Sequence, residues 1–234
     1  MQRMIDPQIF TFLREIRENN NKPWFDAHRQ QYEAARASFL VFVGRFIEMV
    51  QTVDPSVGDQ EPKQCVYRFY RDTRFSPDKS PYKRHFGAFV CPGGRKSVLP
   101  GYYMHVEPDN VFFCTGNYGL PTEMVKRLRT EIANFPEELD AILKDEAFRS
   151  RTGGELWDEE KLKKVPSGYD AAPEYADYLK HKSLNARVDY TEDEVTKESF
   201  ADTLRSDIAI TAPLNAYFRR ALETEPEDEE DFGI

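Results

Sequence analysis

The chain has 234 residues, of which 40% are hydrophobic and 13% aromatic, enough large apolar surface for a sizeable core despite a mean hydropathy of -0.68. A formal net charge of -9 argues against general affinity for nucleic acid or anionic lipid, which draws on broad basic surfaces. No stretch reaches the roughly 18 uninterrupted apolar residues of a membrane span, and the opening MQRMIDPQIF lacks the apolar run of a signal peptide, so no membrane association and a cytoplasmic location are expected.

In chain order, Asp6 reads as an N-cap and Pro7 as the first position of a helix with Ile9, Phe10, Leu13 and Ile16 on one face, ending at Asn19-Asn20-Asn21. Pro23 opens a long amphipathic helix to about Thr52, on which Trp24, His28, Tyr32, Ala35, Phe39, Phe42, Phe46 and Val50 recur at helical spacing. Trp24, Phe25 and Tyr32 could form an aromatic lid, but aromatics at that spacing are usually core.

From Gln64 the pattern turns strand-like, through QCVYRFYRD, HFGAFVC, GYYMHVE and VFFCT. Short turns at Cys91-Pro92-Gly93-Gly94 and Glu107-Pro108-Asp109-Asn110 favour an antiparallel meander. The first of these turns carries Arg95 and Lys96, which would border the basic segment described below.

Helices are expected from Pro121 to about Asn134, over PEELDAILK and over Pro173 to Lys180, with mixed, turn-rich sequence between 146 and 172. A strand at LNARVDY and a helical tail interrupted by Pro213 follow. The expected fold is α+β: one domain over residues 1–222, its antiparallel meander packed with N-terminal and C-terminal helices, and an acidic, unpacked tail over 223–234. The three cysteines, Cys65, Cys91 and Cys114, form no CxxC pair and read as buried free thiols in strands.

One segment is chemically unusual. Residues 68–85 carry Arg68, Arg71, Arg74, Lys79, Lys83 and Arg84 against Asp72 and Asp78, a local +4 that leaves the rest of the chain at -13. Its cations alternate with aromatics and it closes with two prolines, which hold the charges together. Converging guanidiniums suit a phosphate or carboxylate, since the planar fork donates two parallel hydrogen bonds to such groups. The competing reading is structural: Asp72 and Asp78 pair with the loop's own cations while Phe75 and Tyr82 plug the core.

The run Asn19-Asn20-Asn21-Lys22-Pro23-Trp24-Phe25, the Arg-Asp-x-Arg-Phe-Ser-x-Asp-Lys-Ser-Pro-Tyr-Lys stretch ending at Lys83, and Pro100-Gly101-Tyr102-Tyr103-Met104-His105-Val106-Glu107-Pro108 together resemble the bacterial and fungal proteins grouped as domain of unknown function 2461. The likeness continues through Lys163 to Tyr169, Lys180 to Ser183 and Ala212-Pro213-Leu214, nearly the whole chain. The resemblance implies one domain of about this length centred on the basic motif. It supplies no catalytic roles, because that family has no established activity.

His105 and Glu107 lie two apart on an expected strand and share a side, and with His85 they could form a His/His/carboxylate metal set. Strand histidines are more often simply hydrogen-bonded, so no metal and no cofactor is expected. His85 or His105 is the weak candidate for a general base. GxSxG, Walker-type and GxGxxG motifs are absent. The expected site is therefore an anion site of Arg68, Arg71, Arg74, Lys79 and Lys83, oriented by Asp72 and Asp78, with Tyr82 also among the ligand-binding residues. Its ligand would be a small anion; the alternative is an acidic protein segment docked on the same loop without chemistry.

Overall fold

A computed structural model describes residues 3–157, 161–169 and 172–223. Helix α1 (Pro7–Glu18) starts as expected, with the Asp6 carboxylate accepting the Gln8 amide and Pro7 in the first turn. The long helix expected after Pro23 is two helices, α2 (Lys22–Ala27) and α3 (Arg29–Val53). The break is His28, at φ -110° and ψ 19°, whose Nδ1 lies 2.8 Å from the Trp24 carbonyl oxygen and whose ring stacks on Trp24. Phe25 is fully buried, and Trp24 and Tyr32 pack against the same core, which settles these aromatics as packing rather than a lid.

The run QCVYRFYRD does not form a ladder strand. Pro62 and a capping box between Glu61 and Gln64 draw its first two residues into the short helix α4 (Pro62–Cys65). The remainder runs extended, touching the sheet at the single bridge Val66–Ala88 and closing the basic loop at Tyr70–Tyr82.

Among the described residues the sheet has four strands in sequence order, β1 (Phe86–Val90), β2 (Gly101–Glu107), β3 (Asn110–Asn117) and β4 (Leu184–Tyr190), each antiparallel to the next. The expected α+β meander is thus the observed one. Strand alternation divides the sheet into two faces. Ala88, Val90, Tyr102, Met104, Val106, Val111, Phe113, Val188 and Tyr190 point into the main core beneath α1, α3 and the last helix.

The other face carries two cross-strand rows, Gly87–His105–Phe112–Asp189 and Phe89–Tyr103–Cys114–Arg187.

Helices α5 (Thr122–Asn134) and α6 (Pro136–Lys144) fall as predicted, whereas α7 (Glu146–Thr152) forms where turns are expected. Its signals are present in the sequence: the Asp145 carboxylate caps the Phe148 amide, and Gly153 ends the helix in the left-handed region at φ 84°. The helix expected over Pro173 to Lys180 is turns and a single 3-10 turn at Tyr178–Lys180. After the short α8 (Glu192–Val195), α9 (Phe200–Glu223) runs straight through Pro213. Leu204 and Ile208 before the proline and Leu214, Tyr217 and Phe218 after it are all buried, so packing on both sides outweighs the lost backbone hydrogen bond.

Beneath the sheet Arg219 of α9 forms a two-pronged ion pair with Asp54, which also accepts the Tyr102 hydroxyl at 3.1 Å. The acidic tail after Glu223 lies outside the described residues. No helix among them is long and apolar enough to cross a membrane.

Candidate functional site

The basic loop is largely self-satisfied. Arg71 Nη1 donates to Asp78 at 2.6 Å and to the Ser80 carbonyl at 3.1 Å, while Nη2 reaches Ser76 Oγ at 3.2 Å. Arg74 clasps Asp72 with Nε and Nη2, Lys79 donates to the Thr73 carbonyl at 2.9 Å, and Arg84 lies 3.6 Å from Asp78. Hydrogen bonds from the Ser80 hydroxyl and amide, followed by the one from Arg71, hold the Asp78 carboxyl well below the usual range.

Backbone bonds from Arg71 to Pro81 and from Lys83 to Phe69 close the base of the loop. Tyr82 is buried against Phe25, with ring centroids 4.1 Å apart, so it belongs to the core. Phe75 is 93% exposed at the loop tip, contrary to the expectation that it plugs the interior.

The environment changes at Lys83. Lys83 lines a cleft of about 450 Å³ on the open face of the sheet, together with Tyr67, His85, Phe89, Tyr103, Phe112, Cys114, Asn117, Trp157 and Asn185. Burial, reinforced by the charges of Arg68 and Arg95, lowers the Lys83 pKa. Tyr67 links these cations: Lys83 Nζ lies 5.3 Å and Arg95 Cζ 4.9 Å from its ring centroid. Among the described residues Lys83, Arg68 and Arg95 have no carboxylate within ion-pair distance, unlike Arg71 and Arg74.

The walls are aromatic. Arg187 Cζ sits 3.9 Å over the Phe112 ring and 5.2 Å from that of Trp157, held by Asp189 and by Asn110 at 3.0 Å. Asn117 and Asn185 line the cleft too, and each buries a side-chain oxygen with no hydrogen-bond partner. Cys114 also faces the cleft, but burial pushes its thiol up to about 12, which makes it inert as a nucleophile at neutral pH. All three cysteines are free and buried, though only Cys114 lies in a strand; Cys65 ends α4 and Cys91 follows β1.

A polar chain borders the cleft. The Tyr103 hydroxyl is 2.9 Å from His105 Nδ1, His105 Nε2 is 3.2 Å from Glu107 Oε2, and Asn110 donates to that oxygen at 3.3 Å. The His85 ring lies on that of His105, with centroids 4.2 Å apart. Burial, then the proximity of His105 and Lys83, holds the His85 pKa down to about 3, so this imidazole is neutral at physiological pH. Burial raises the Glu107 carboxyl, but the hydrogen bonds from His105 and Asn110 outweigh it and leave the pKa below its ordinary value.

Gly87 is what permits the packing here: a Cβ at that position would meet the Tyr103 hydroxyl at 2.5 Å.

Sequence reasoning found the loop and the His105–Glu107 pair but missed Tyr67, Tyr103, Phe112, Trp157, Asn185 and Arg187. The register of β2 against β3 would have placed Tyr103 and Phe112 on the same face as His105. Trp157 and Asn185 meet through a bridge between segments 28 residues apart, which no local pattern announces.

No curated protein and no solved structure matches the chain. A family model described as "Conserved hypothetical protein (DUF2461)" matches residues 8–217, and the chain belongs to that family.

Proposed function

We propose that the protein binds a compact anionic ligand, carrying a phosphate or carboxylate, in the open-face cleft, with Lys83, Arg68 and Arg95 as the cationic rim. The observation that carries this reading is Lys83 on the wall of a ligand-sized, aromatic-walled cleft, with Arg95 sharing the Tyr67 ring and Arg68 close by, none of the three in an ion pair among the described residues. An anion there would relieve the mutual repulsion of the three cations and engage donors already gathered around Tyr67. Of the residues chosen from sequence, Arg68 and Lys83 keep a binding role in this reading. Arg71, Asp72, Arg74, Asp78, Lys79 and Tyr82 shape the loop that carries them.

A thermal-shift screen with inorganic phosphate, pyrophosphate, sugar phosphates, nucleotides and dicarboxylates tests the reading. A ligand at 100 times its dissociation constant stabilises by about 2.7 kcal/mol, a readable shift. Absence of stabilisation by every anion would sink it.

A second reading has one observation in its favour. Phe75 is 93% exposed beside Arg74, whose Cζ lies 5.8 Å from its ring, a pairing suited to docking an acidic protein segment. Phe75→Ser separates the two: it would abolish docking and leave small-anion affinity unchanged.

A further inference from the structure

We infer that His85, His105 and Glu107 form a binding site for one divalent transition-metal ion of the zinc type at the edge of the cleft. The fold brings the donors together from two segments. His105 and Glu107 alternate on β2 and so share the open face, and the β1–β2 register, continued one residue before Phe86, sets His85 across from Glu107. One ligand atom from each of the three lies within 4.8 Å of the others. The 3.2 Å between His105 Nε2 and Glu107 Oε2 already approaches the spacing of two ligands on one ion, since each metal bond is about 2.0–2.2 Å long.

Three further features fit a metal site better than a hydrogen-bonded pair. The outer partners are in place: Tyr103 holds His105 at Nδ1, which leaves Nε2 to face the ion, and Asn110 holds the Glu107 carboxylate. His85 makes no hydrogen bond among the described residues, so a paired His105–Glu107 leaves its imidazole without a role, whereas a metal site uses it. Finally, His85 lines the cleft, so coordination positions beyond the three protein ligands open toward space that water or a ligand can enter. Two imidazoles and one carboxylate favour zinc, cobalt, nickel or iron over magnesium or calcium, which prefer oxygen donors throughout. The site goes beyond the anion-binding reading and does not rest on it, because none of its donors belongs to the cationic rim.

The test is titration of the untagged full-length chain, stripped with a chelator, with Zn²⁺ by calorimetry and with Co²⁺ by its visible absorption. The expected result is one ion per chain and a Co²⁺ spectrum of low coordination number. His85→Asn and Glu107→Gln should each weaken binding at least 100-fold, while His28→Gln, on the stacked pair with Trp24, leaves it unchanged. Zn²⁺ should raise the melting temperature of wild type and not of His85→Asn. That variant removes a half-buried ring that makes no hydrogen bond among the described residues, and circular dichroism checks that it is folded. Failure of wild type to bind a stoichiometric ion, or binding that survives both His85→Asn and Glu107→Gln in folded protein, overturns the inference. Anion binding measured separately in chelator-treated protein keeps the two proposals distinguishable.

Discussion

Adjacent residues of β3 show how differently the two faces of the sheet are used. Phe113 faces the helices and is wholly buried among Phe46, Tyr102 and their neighbours. Phe112 points the other way, walls the cleft, and carries Arg187 on its outer surface and His105 beside it. Under the helices nearly every strand residue is apolar. On the open face tyrosine, histidine, glutamate, asparagine and arginine gather around a cleft. The core thus stabilises the scaffold, and the open face is left to hold polar groups at fixed spacing on rigid strands, where small ligands are best recognised.

This contrast can be broken at several levels. The largest effects belong to the helix-covered face. Phe113→Ala should cost about 3–5 kcal/mol in stability, measured by chemical denaturation, since it empties a sealed site. Phe112→Ala should cost clearly less while loosening Arg187 and weakening ligand binding; equal losses at the two positions would erase the distinction between the faces.

The Asp54–Arg219 pair beneath the sheet comes next. Arg219→Ala leaves a buried carboxylate unpaired and should cost about 3 kcal/mol or more. Burial raises the Asp54 carboxyl, but the bonds from Arg219, Ser56 and Tyr102 outweigh it, so its folded pKa lies below 3.8. Its contribution to stability is therefore present above pH 3.8 and lost as pH falls through the folded value. Asp54→Asn should flatten the acid limb of the stability curve, whereas an unchanged limb would contradict the assignment.

Gly87→Ala is a finer probe. It should push the Tyr103 ring away from His105 and cost about 1–3 kcal/mol by overpacking, with the cleft disturbed and the opposite face intact. The smallest effect is expected at Arg74→Ala, which removes an exposed clasp on Asp72 and should leave the melting temperature unchanged within error.

The sequence made the scaffold readable where one physical signal dominated. Asp6-Pro7 at a helix start, the alternating apolar runs of β2 and β4, and the Glu107-Pro108-Asp109-Asn110 turn each specify a local structure that packing then endorses. It misled where two signals competed. The capping box at Glu61 overrode strand propensity in Gln64 and Cys65, and burial on both sides of Pro213 overrode its helix-breaking tendency.

The site was harder to see because charge density is visible in sequence and charge compensation is not. Arg71, Arg74 and Lys83 look alike in a string of residues. Only the folded loop turns the first two onto Asp78 and Asp72 and leaves Lys83 on the cleft wall, with Arg68 and Arg95 near it.

That difference also defines the most direct measurement: affinity for pyrophosphate, by calorimetry, in wild type and in two double variants. If the uncompensated rim is the anion site, Lys83→Ala with Arg68→Ala should weaken binding by at least tenfold, while Arg71→Ala with Arg74→Ala, if folded, leaves it within about twofold of wild type, since charge-assisted bonds contribute roughly 1.5–3 kcal/mol each only where they are made. A loss confined to the Arg71/Arg74 variant, with the Lys83/Arg68 variant binding as wild type, would contradict the account and return the site to the loop.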